Sequence, residues 1–444
     1  VIINGIEPNI NIGRGYHQIV SFLCEYPPYE YIQDGICTGA IYSESGYPLN
    51  EHNQDFGSVG IGYNALMKMK DIEAKTMERF SNLQGEDLQN KNTTYVIYIN
   101  WDGFAYQYYE WANSLNSVGV GTPVLNYLAS RGTLFTNAYT GFPGTTVPMQ
   151  TSIVTGAWPR EHGNIDLYYD STENIIKRTN RENLCETIGE VIAKSGFSSV
   201  SIQQFALKDR GTSYDDPYHL YVQPSGSWYK RVKTAIKILK KEAVPRIDGK
   251  KVIVPEIPRF LAIYADDLYA TGHNLGINYG FSLAFNYQAW KKKLTRKLAY
   301  MDSGLGILVK ALNDLEILDK TVIILTSDHG MSHFQGDTSL PDVVETLDSL
   351  GYFVEVLTEG EKASPGVDIV LFGGPLSLQF AFTWDITPFE YEEIINAFRE
   401  KAYFGGCMTQ EELVEAGAHP NWSSLLIWAE SPYHFNKTDI VLRV

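Results

Sequence analysis

The sequence lacks the features that mark membrane, thiol-redox and nucleic-acid-binding proteins. It has no run of roughly 18 or more apolar residues, so we predict no transmembrane segment. Its four cysteines form no CxxC pair, which argues against a zinc ribbon or a thioredoxin motif. Basic residues number 36 against 52 acidic ones, and the net charge of −16 argues against binding to a nucleic-acid duplex.

What is present is enough apolar sequence for a large α/β protein. The chain has 444 residues, and 44% of them are hydrophobic. This length exceeds what a single hydrophobic core usually organises. Residues 1–93, rich in Gly, Tyr, Asn and Pro, are predicted to form an N-terminal accessory segment, and 94–444 the main domain. The strand–helix alternation fails at about 203–258, where we predict an insertion or cap. The chain begins at Val1 rather than Met, which suggests a processed product, and we expect an extracytoplasmic or secreted protein.

Short apolar runs alternate with amphipathic segments, which predicts a mainly parallel central sheet with helices on both faces. One predicted helix begins with Thr122 as its N-cap residue and Pro123 as its first helical residue, and it ends at Arg131 before Gly132. Another helix is predicted to carry Leu184, Ile188, Val191 and Ile192 on one face. Strands are predicted at 95–100, 134–139, 197–202, 259–264 and 321–325.

Carboxylates and an imidazole follow three of these strands. Asp102 follows the first, Asp266 and Asp267 follow the fourth, and Asp328-His329 follow the fifth. Ligands of open α/β sheets bind at the carboxyl ends of the strands, so we expect these side chains to converge. Asp and His without Cys favour zinc as the metal, with manganese or iron as alternatives.

A turn bracketed by glycine and proline places two hydroxyl groups before a helix. Thr145 and Thr146 follow Pro143-Gly144, and the predicted helix ends at Thr155-Gly156. Such a corner exposes a side-chain oxygen and directs helix-start N–H groups towards an anion. Thr145 and Thr146 are the two candidates for that exposed oxygen.

Taken together, these motifs resemble the alkaline phosphatase superfamily, and within it the type I phosphodiesterase and nucleotide pyrophosphatase branch. The resemblance extends over about residues 94–444, with the motifs in family order. The motifs that carry it are Trp101-Asp102-Gly103-Phe104, Thr146-Val147-Pro148, Ser152-Ile153-Val154-Thr155-Gly156, Pro159-Arg160-Glu161-His162-Gly163, Gly272-His273, Ser327-Asp328-His329-Gly330-Met331 and His419.

The resemblance implies an alkaline phosphatase-like fold and a hydrolase with two zinc ions. One metal would be held by Asp102, Asp328, His329 and Thr146, and the other by His273 and His419. Thr146 would attack phosphorus and form a phosphothreonine intermediate that water then hydrolyses. The implied partner is a small phosphate ester, with a nucleotide as one candidate, and Asn164 is a candidate substrate contact.

One departure from the family pattern concerns the second metal. The family has an Asp four residues before the equivalent of His273, where this chain has Tyr269. Asp267 is our preferred replacement ligand, with Asp266 as the alternative. A phosphomonoesterase, a phosphonate hydrolase or a transferase of the same superfamily is an alternative function, as is a binding protein with a degraded metal site.

Overall fold

The structure, a computed structural model, describes residues 2–3, 94–114, 121–273, 284 and 286–439. Apart from Ile2–Ile3, the predicted accessory segment lies outside the described residues. The chain divides into two compact units. The first comprises Val1–Tyr139, Thr187–Leu283 and Gln288–Met331, and the second comprises Thr140–Glu186, Ala284–Tyr287 and Ser332–Val444.

The strands and helices of the described residues are numbered here in chain order. The strands are β1 (Ile2–Ile3), β2 (Tyr95–Trp101), β3 (Thr133–Leu134), β4 (Leu167–Asp170), β5 (Ile175–Arg178), β6 (Ser199–Ile202), β7 (His219–Val222), β8 (Val244–Pro245), β9 (Lys251–Val252), β10 (Phe260–Ala265), β11 (Thr321–Thr326), β12 (Val354–Val356), β13 (Ile369–Gly373), β14 (Ser377–Phe382), β15 (Phe404–Thr409) and β16 (Leu425–Ala429). The helices are α1 (Tyr106–Asn113), α2 (Pro123–Arg131), α3 (Thr146–Thr155), α4 (Pro159–His162), α5 (Ile188–Lys194), α6 (Trp228–Leu239), α7 (Asp267–Gly272), α8 (Tyr287–Asp314), α9 (Leu340–Ser349), α10 (Pro388–Arg399) and α11 (Gln410–Glu415). Short 3₁₀ helices occur at Phe205–Leu207 and Leu318–Lys320.

The first unit contains a seven-stranded sheet in the order β3-β1-β11-β2-β10-β6-β7. The five strands from β11 to β7 are parallel, and only the short β1 runs antiparallel to its neighbours β11 and β3. Every residue of β10 is buried, as expected of a parallel strand covered on both faces. The predicted mainly parallel sheet with flanking helices is confirmed.

The second unit is built on a mixed five-stranded sheet in the order β12-β13-β14-β16-β15. Apolar residues of α9 and α10 pack on this sheet around the fully buried Phe380 and Phe398. The hairpin of β4 and β5 forms a separate two-stranded sheet. The sequence pattern did not predict this hairpin, because both strands are only four residues long.

The strand predicted at 134–139 is wrong, because only Thr133–Leu134 adopts it. Within the described residues its partner β1 is only two residues long, and the described chain offers no further strand with which the backbone beyond Leu134 pairs. Tyr139, which the prediction placed in the strand, is 86% exposed.

The helix predicted to include Leu184 begins only at Ile188. Thr187 caps it, since its hydroxyl accepts from the Glu190 amide while the Glu190 carboxylate accepts from the Thr187 amide. This capping box sets the beginning of the helix at Ile188, and Leu184, which precedes it, is 83% exposed.

Part of the predicted insertion belongs to the main sheet. β7 is the edge strand of the seven-stranded sheet, and α6 packs against β6 and β10. The hairpin of β8 and β9 forms its own two-stranded sheet. The division of the chain into accessory segment, domain and cap stays a prediction. Within the described residues, none of the helices is both long and apolar enough to cross a membrane.

Candidate metal and phosphate-ester site

Two carboxylates and an imidazole meet where β2 and β11 end. These strands are parallel neighbours, so Asp102 and Asp328, which follow them, emerge at the same edge of the sheet. The Nε2 atom of His329 lies 3.4 Å from Oδ1 of Asp102 and 3.9 Å from Oδ2 of Asp328. One ligand atom from each residue lies within 4.8 Å of the other two. Among the residues that the structure describes, this is the one such cluster of His, Cys, Asp or Glu.

Hydrogen bonds orient these side chains for metal binding. Nδ1 of His329 lies 2.8 Å from the carbonyl oxygen of Gly330, which only accepts, so Nδ1 donates and the neutral ring keeps its lone pair on Nε2. Oδ1 of Asp328 accepts from the amides of Gly103 and His329. A lone pair and two acceptor-only carboxylates therefore converge, and a divalent cation fits this donor set.

Burial and like charge make the cluster electrostatically unfavourable without a cation. Asp102 is 1% exposed, and burial, followed by the neighbouring Asp328 charge, raises its pKa to about 7. His329 and a hydrogen bond from the Tyr264 hydroxyl act in the opposite direction. Burial raises the pKa of Tyr264 far above its usual range, so its phenol remains a donor to Asp102. A divalent cation would offset the repulsion between the two carboxylates.

Small residues in the motifs make room for the side chain of Met331. Gly103 has φ +71°, and a Cβ there would lie 2.9 Å from Sδ of Met331. A Cβ on Gly272 would lie 2.5 Å from the same sulfur. The glycines of Asp102-Gly103 and Gly272-His273 thus let Met331 pack between their loops, which explains their place in the motifs.

Three of the residues predicted for the second metal lie on α7 or next to its ends. Asp267 is buried, its Oδ2 accepts from the Trp228 amide at 2.8 Å, and its Oδ1 lies 3.7 Å from Nζ of Lys297. Asp266 pairs with Arg231 at 2.6 Å. The structure does not bring either carboxylate into the cluster of Asp102, Asp328 and His329. Their assignment as metal ligands stays a prediction.

Tyr269 lies against the predicted ligand His273. Its ring centroid is 4.2 Å from that of His273 and 6.3 Å from that of His329. His273 is exposed and follows the last residue of α7. At the position where the family pattern has a carboxylate, this chain therefore has an aromatic ring packed on the imidazole.

The candidate nucleophile begins helix α3 in the second unit. Thr145 is the exposed N-cap residue, and Thr146 is the half-buried first residue of the helix. The hydroxyl of Thr145 hydrogen-bonds the Asp166 carboxyl. Gly156 ends the helix with φ +70°, its amide donating to the carbonyl of Ser152. The predicted turn before a short helix is confirmed, with Thr145 ahead of the helix and Thr146 as its first residue.

His162, in the motif Pro159-Arg160-Glu161-His162-Gly163 that follows α3, contacts this helix. His162 is fully buried, its Nε2 lies 2.9 Å from the Ser152 hydroxyl, and its Nδ1 accepts from the Asn164 amide at 3.0 Å. The buried Asn164 side chain accepts from Thr179 and donates to the carbonyl of Asn180. Both ends of Asn164 are thus engaged within its own loop, and its role as a substrate contact stays a prediction.

His419, also in the second unit, is half-buried, and burial lowers its pKa. Its Nδ1 accepts from the Asn421 amide at 3.1 Å. Its role as a metal ligand stays a prediction. Sequence patterns missed two residues of the first unit, Tyr264 beside Asp102 and Lys297 beside Asp267. No local signal marks them, because they come from a neighbouring strand and a distant helix.

The fold of the chain is shared with solved hydrolase structures. Mouse ectonucleotide pyrophosphatase/phosphodiesterase 5 aligns with a TM-score of 0.52 and 16% identity, covering 78% of this chain and 82% of that one. Phosphonoacetate hydrolase from Sinorhizobium meliloti aligns with a TM-score of 0.51 and 14% identity, covering 79% of this chain and 86% of that one. These similarities establish an alkaline phosphatase-like fold.

The profile of the type I phosphodiesterase / nucleotide pyrophosphatase family matches residues 96–375, more than half of the chain. The chain belongs to this family. A Caenorhabditis elegans ectonucleotide pyrophosphatase/phosphodiesterase is 26% identical over 246 residues, 53% of this chain and 26% of that protein. Human ectonucleotide pyrophosphatase/phosphodiesterase family member 1 is 26% identical over 245 residues, which cover 53% of this chain and 23% of that protein. The chain thus matches about a quarter of the length of these two relatives.

Proposed function

We propose that the chain is a metal-dependent phosphodiesterase that uses Thr146 as its nucleophile. The observation that carries this proposal is the cluster of Asp102, Asp328 and His329, whose oriented donors suit a divalent cation. Membership of the type I phosphodiesterase / nucleotide pyrophosphatase family supports the reaction class. We expect zinc, because carboxylates combined with imidazole nitrogen suit it, with manganese or iron as alternatives.

Asp102, Asp328 and His329 would hold one metal, and Asp267 or Asp266, with His273 and His419, are proposed for a second. When bound, the metals supply positive charge that lowers the pKa of a hydroxyl and stabilises the charge on phosphate oxygens. Tyr264 keeps one oxygen of Asp102 hydrogen-bonded, and the Gly330 carbonyl keeps His329 in the tautomer that presents Nε2.

Thr146 would form the bond to phosphorus while the ester oxygen leaves and takes up a proton. Water would then hydrolyse the phosphothreonine and regenerate the hydroxyl. We prefer Thr146 to Thr145 because Thr146 stands directly before Val147-Pro148, where the motif of the family has its nucleophile. Thr146 also begins α3, where helix-start N–H groups favour an anion.

We propose a small phosphate ester as substrate, with a nucleotide as one candidate. The mouse type 5 protein is known in complex with AMP as an inactive threonine-to-alanine variant, and it aligns here with a TM-score of 0.52. That variant supports a threonine nucleophile by similarity. A location outside the cytoplasm is also proposed, since several relatives carry the name ectonucleotide pyrophosphatase/phosphodiesterase.

The test compares Thr146→Ala with the matched variant Thr145→Ala on bis-p-nitrophenyl phosphate with zinc supplied. We expect Thr146→Ala to lose about a thousandfold or more in kcat, as loss of a covalent nucleophile does, while Thr145→Ala keeps most activity. Full activity of Thr146→Ala would show that the nucleophile is misassigned. Cleavage of p-nitrophenyl phosphate alone would make the chain a phosphomonoesterase, and no turnover with fewer than two zinc ions would favour a binding protein.

A further inference from the structure

The first unit contains a polar cavity of about 960 Å³ beside the candidate metal ligands. It lies at the carboxyl ends of parallel strands, since Gln203 follows β6, Gln223 follows β7 and Asp266 follows β10. The rest of its lining comes from α6, α7, α8 and the hairpin of β8 and β9. Ligands of open α/β sheets bind at this edge, so the position favours a binding role.

Three buried polar atoms of residues lining this cavity make no hydrogen bond in the described structure. They are Nε of Arg231, Nε of Arg246 and Oε1 of Gln203. Arg231 is only 3% exposed, and its two Nη atoms are held by the Tyr264 carbonyl and by Asp266. Burying a donor or acceptor without a partner costs about 1–3 kcal/mol, and these side chains have hydrogen-bonding capacity that the described structure leaves unmet.

The backbone at Gln203 is also unusual. Gln203 has φ +60°, in the left-handed region that residues with a side chain seldom occupy. Its amide donates to the Val222 carbonyl at 2.9 Å, which anchors this conformation beside β7. Such strain is retained where the surrounding structure over-determines it, as at ligand sites.

The unsatisfied atoms restrict the chemistry of the occupant. Arg231 and Arg246 offer N–H donors, whereas Gln203 offers an acceptor. A phosphate group alone would leave the amide oxygen of Gln203 without a donor. A hydroxyl group both donates and accepts, so a group with several hydroxyls satisfies the arginine donors and the amide together.

The lining also disfavours a nucleobase. None of the described lining residues is aromatic, so the described part of the wall offers no ring on which a base can stack. Ser225, Ser227 and Gln223 add further hydroxyl and amide groups to the wall. The volume exceeds that of one small polar group and accommodates a hexose-sized one.

We propose that this cavity binds a sugar or polyol group of the substrate. The cavity thereby favours phosphate esters of hydroxyl-rich alcohols over nucleotides that are recognised through their base. The inference rests on the proposed function only in taking the bound group to be part of a phosphate ester.

Calorimetric titration of the whole chain tests the proposal with glucose 1-phosphate, methyl phosphate and AMP. We expect glucose 1-phosphate to bind about tenfold more tightly than methyl phosphate, which is the size of effect that one or two hydrogen bonds to charged groups confer. Arg246→Met and Gln203→Met should each remove most of that preference. The control is Lys250→Met, in the same hairpin but outside the cavity lining, and it should keep the preference.

Equal affinity for glucose 1-phosphate and methyl phosphate would overturn the proposal, as would a preference that survives in both cavity variants. Weakened methyl phosphate binding in Arg246→Met would identify an anion site instead. AMP binding that is tighter than glucose 1-phosphate binding and depends on Arg246 and Gln203 would identify a nucleoside site instead. Wild-type hydrolysis of bis-p-nitrophenyl phosphate separates the two proposals. Its absence overturns the phosphodiesterase but leaves the sugar preference measurable, and its presence without that preference overturns only the cavity assignment.

Discussion

The buried His162 connects the motif Pro159-Arg160-Glu161-His162-Gly163 to α3, the helix that carries Thr146. Its ring contacts the Ser152 hydroxyl of α3 on one side and the Asn164 amide on the other. Because Nδ1 accepts from an amide, the neutral ring donates from Nε2 to Ser152. Burial is the main cause that lowers the pKa of His162 from 6.5 to about 4.

This shift predicts an acid-sensitive contribution to stability. The folded-state pKa lies below the unfolded value, so the unfolded chain binds the proton more readily between about pH 6.5 and 4. Stability is therefore fully present above pH 6.5 and falls as the pH drops towards 4, by up to about 3 kcal/mol. Urea unfolding of wild type and His162→Gln at pH 7 and pH 4 measures it.

We expect His162→Gln to lose less stability between these pH values than wild type, although it is less stable at pH 7. The partly exposed His219, changed to Gln, controls for the removal of a histidine elsewhere. Parallel pH profiles for wild type and His162→Gln would contradict the prediction.

At the scale of elements, a buried carboxylate of α8 caps the start of α2. Oδ2 and Oδ1 of Asp302 accept from the amides of Val124 and Leu125 at 3.0 and 2.7 Å. The sequence instead favoured Thr122 as the N-cap residue, but its side chain makes no cap hydrogen bond. Asp302 is fully buried and lies 177 residues from Leu125, so no local pattern indicated this cap.

Removing this cap should destabilise the first unit. In Asp302→Asn, one acceptor becomes an NH₂ group that faces a buried amide, and the negative charge at the helix start is lost. We expect a loss of about 2–4 kcal/mol in the free energy of unfolding, measured by urea denaturation.

The matched variant is Asp314→Asn on the same helix. Asp314 is exposed and pairs with Lys310, and such a surface pair contributes less than about 1 kcal/mol. Equal losses in the two variants would show that Asp302 does not act as a buried cap.

At the scale of the molecule, the cluster of Asp102, Asp328 and His329 joins positions far apart in the chain. Asp102 and Asp328 lie 226 residues apart, and their convergence depends on β2 and β11 being neighbours. A metal that binds only the folded arrangement stabilises it by mass action, by about 4 kcal/mol at a free concentration a thousand times Kd.

Zinc should therefore raise the unfolding temperature of the EDTA-treated chain by several degrees, as measured by scanning calorimetry. Asp102→Asn should lose most of this increase, because it removes a charged ligand from the cluster. Asp314→Asn, remote from the cluster, should retain the increase. A zinc-induced shift of the same size in Asp102→Asn would place the responsible metal elsewhere.

Much of the fold and part of the site followed from the sequence. The strands β2, β10 and β11 and the α3 turn were predicted because their signals are local: continuous apolar runs, and threonines between Pro143-Gly144 and a helix-ending glycine. The same local order places Asp102 and Asp328-His329 at strand ends, and the motifs indicated the family that the profile match establishes.

The tertiary structure decided what depends on neighbours in space. Tyr264 contacts Asp102 because β10 lies beside β2, and Asp267 faces Lys297 because α8 packs near α7. The polar cavity likewise combines three strand ends with a hairpin. The sequence by itself determined which residues carry the candidate chemistry, since composition and motif spacing are local properties. Only the tertiary structure decided which of them are paired, buried or left to bind a ligand, because those properties depend on strand order and packing between distant segments.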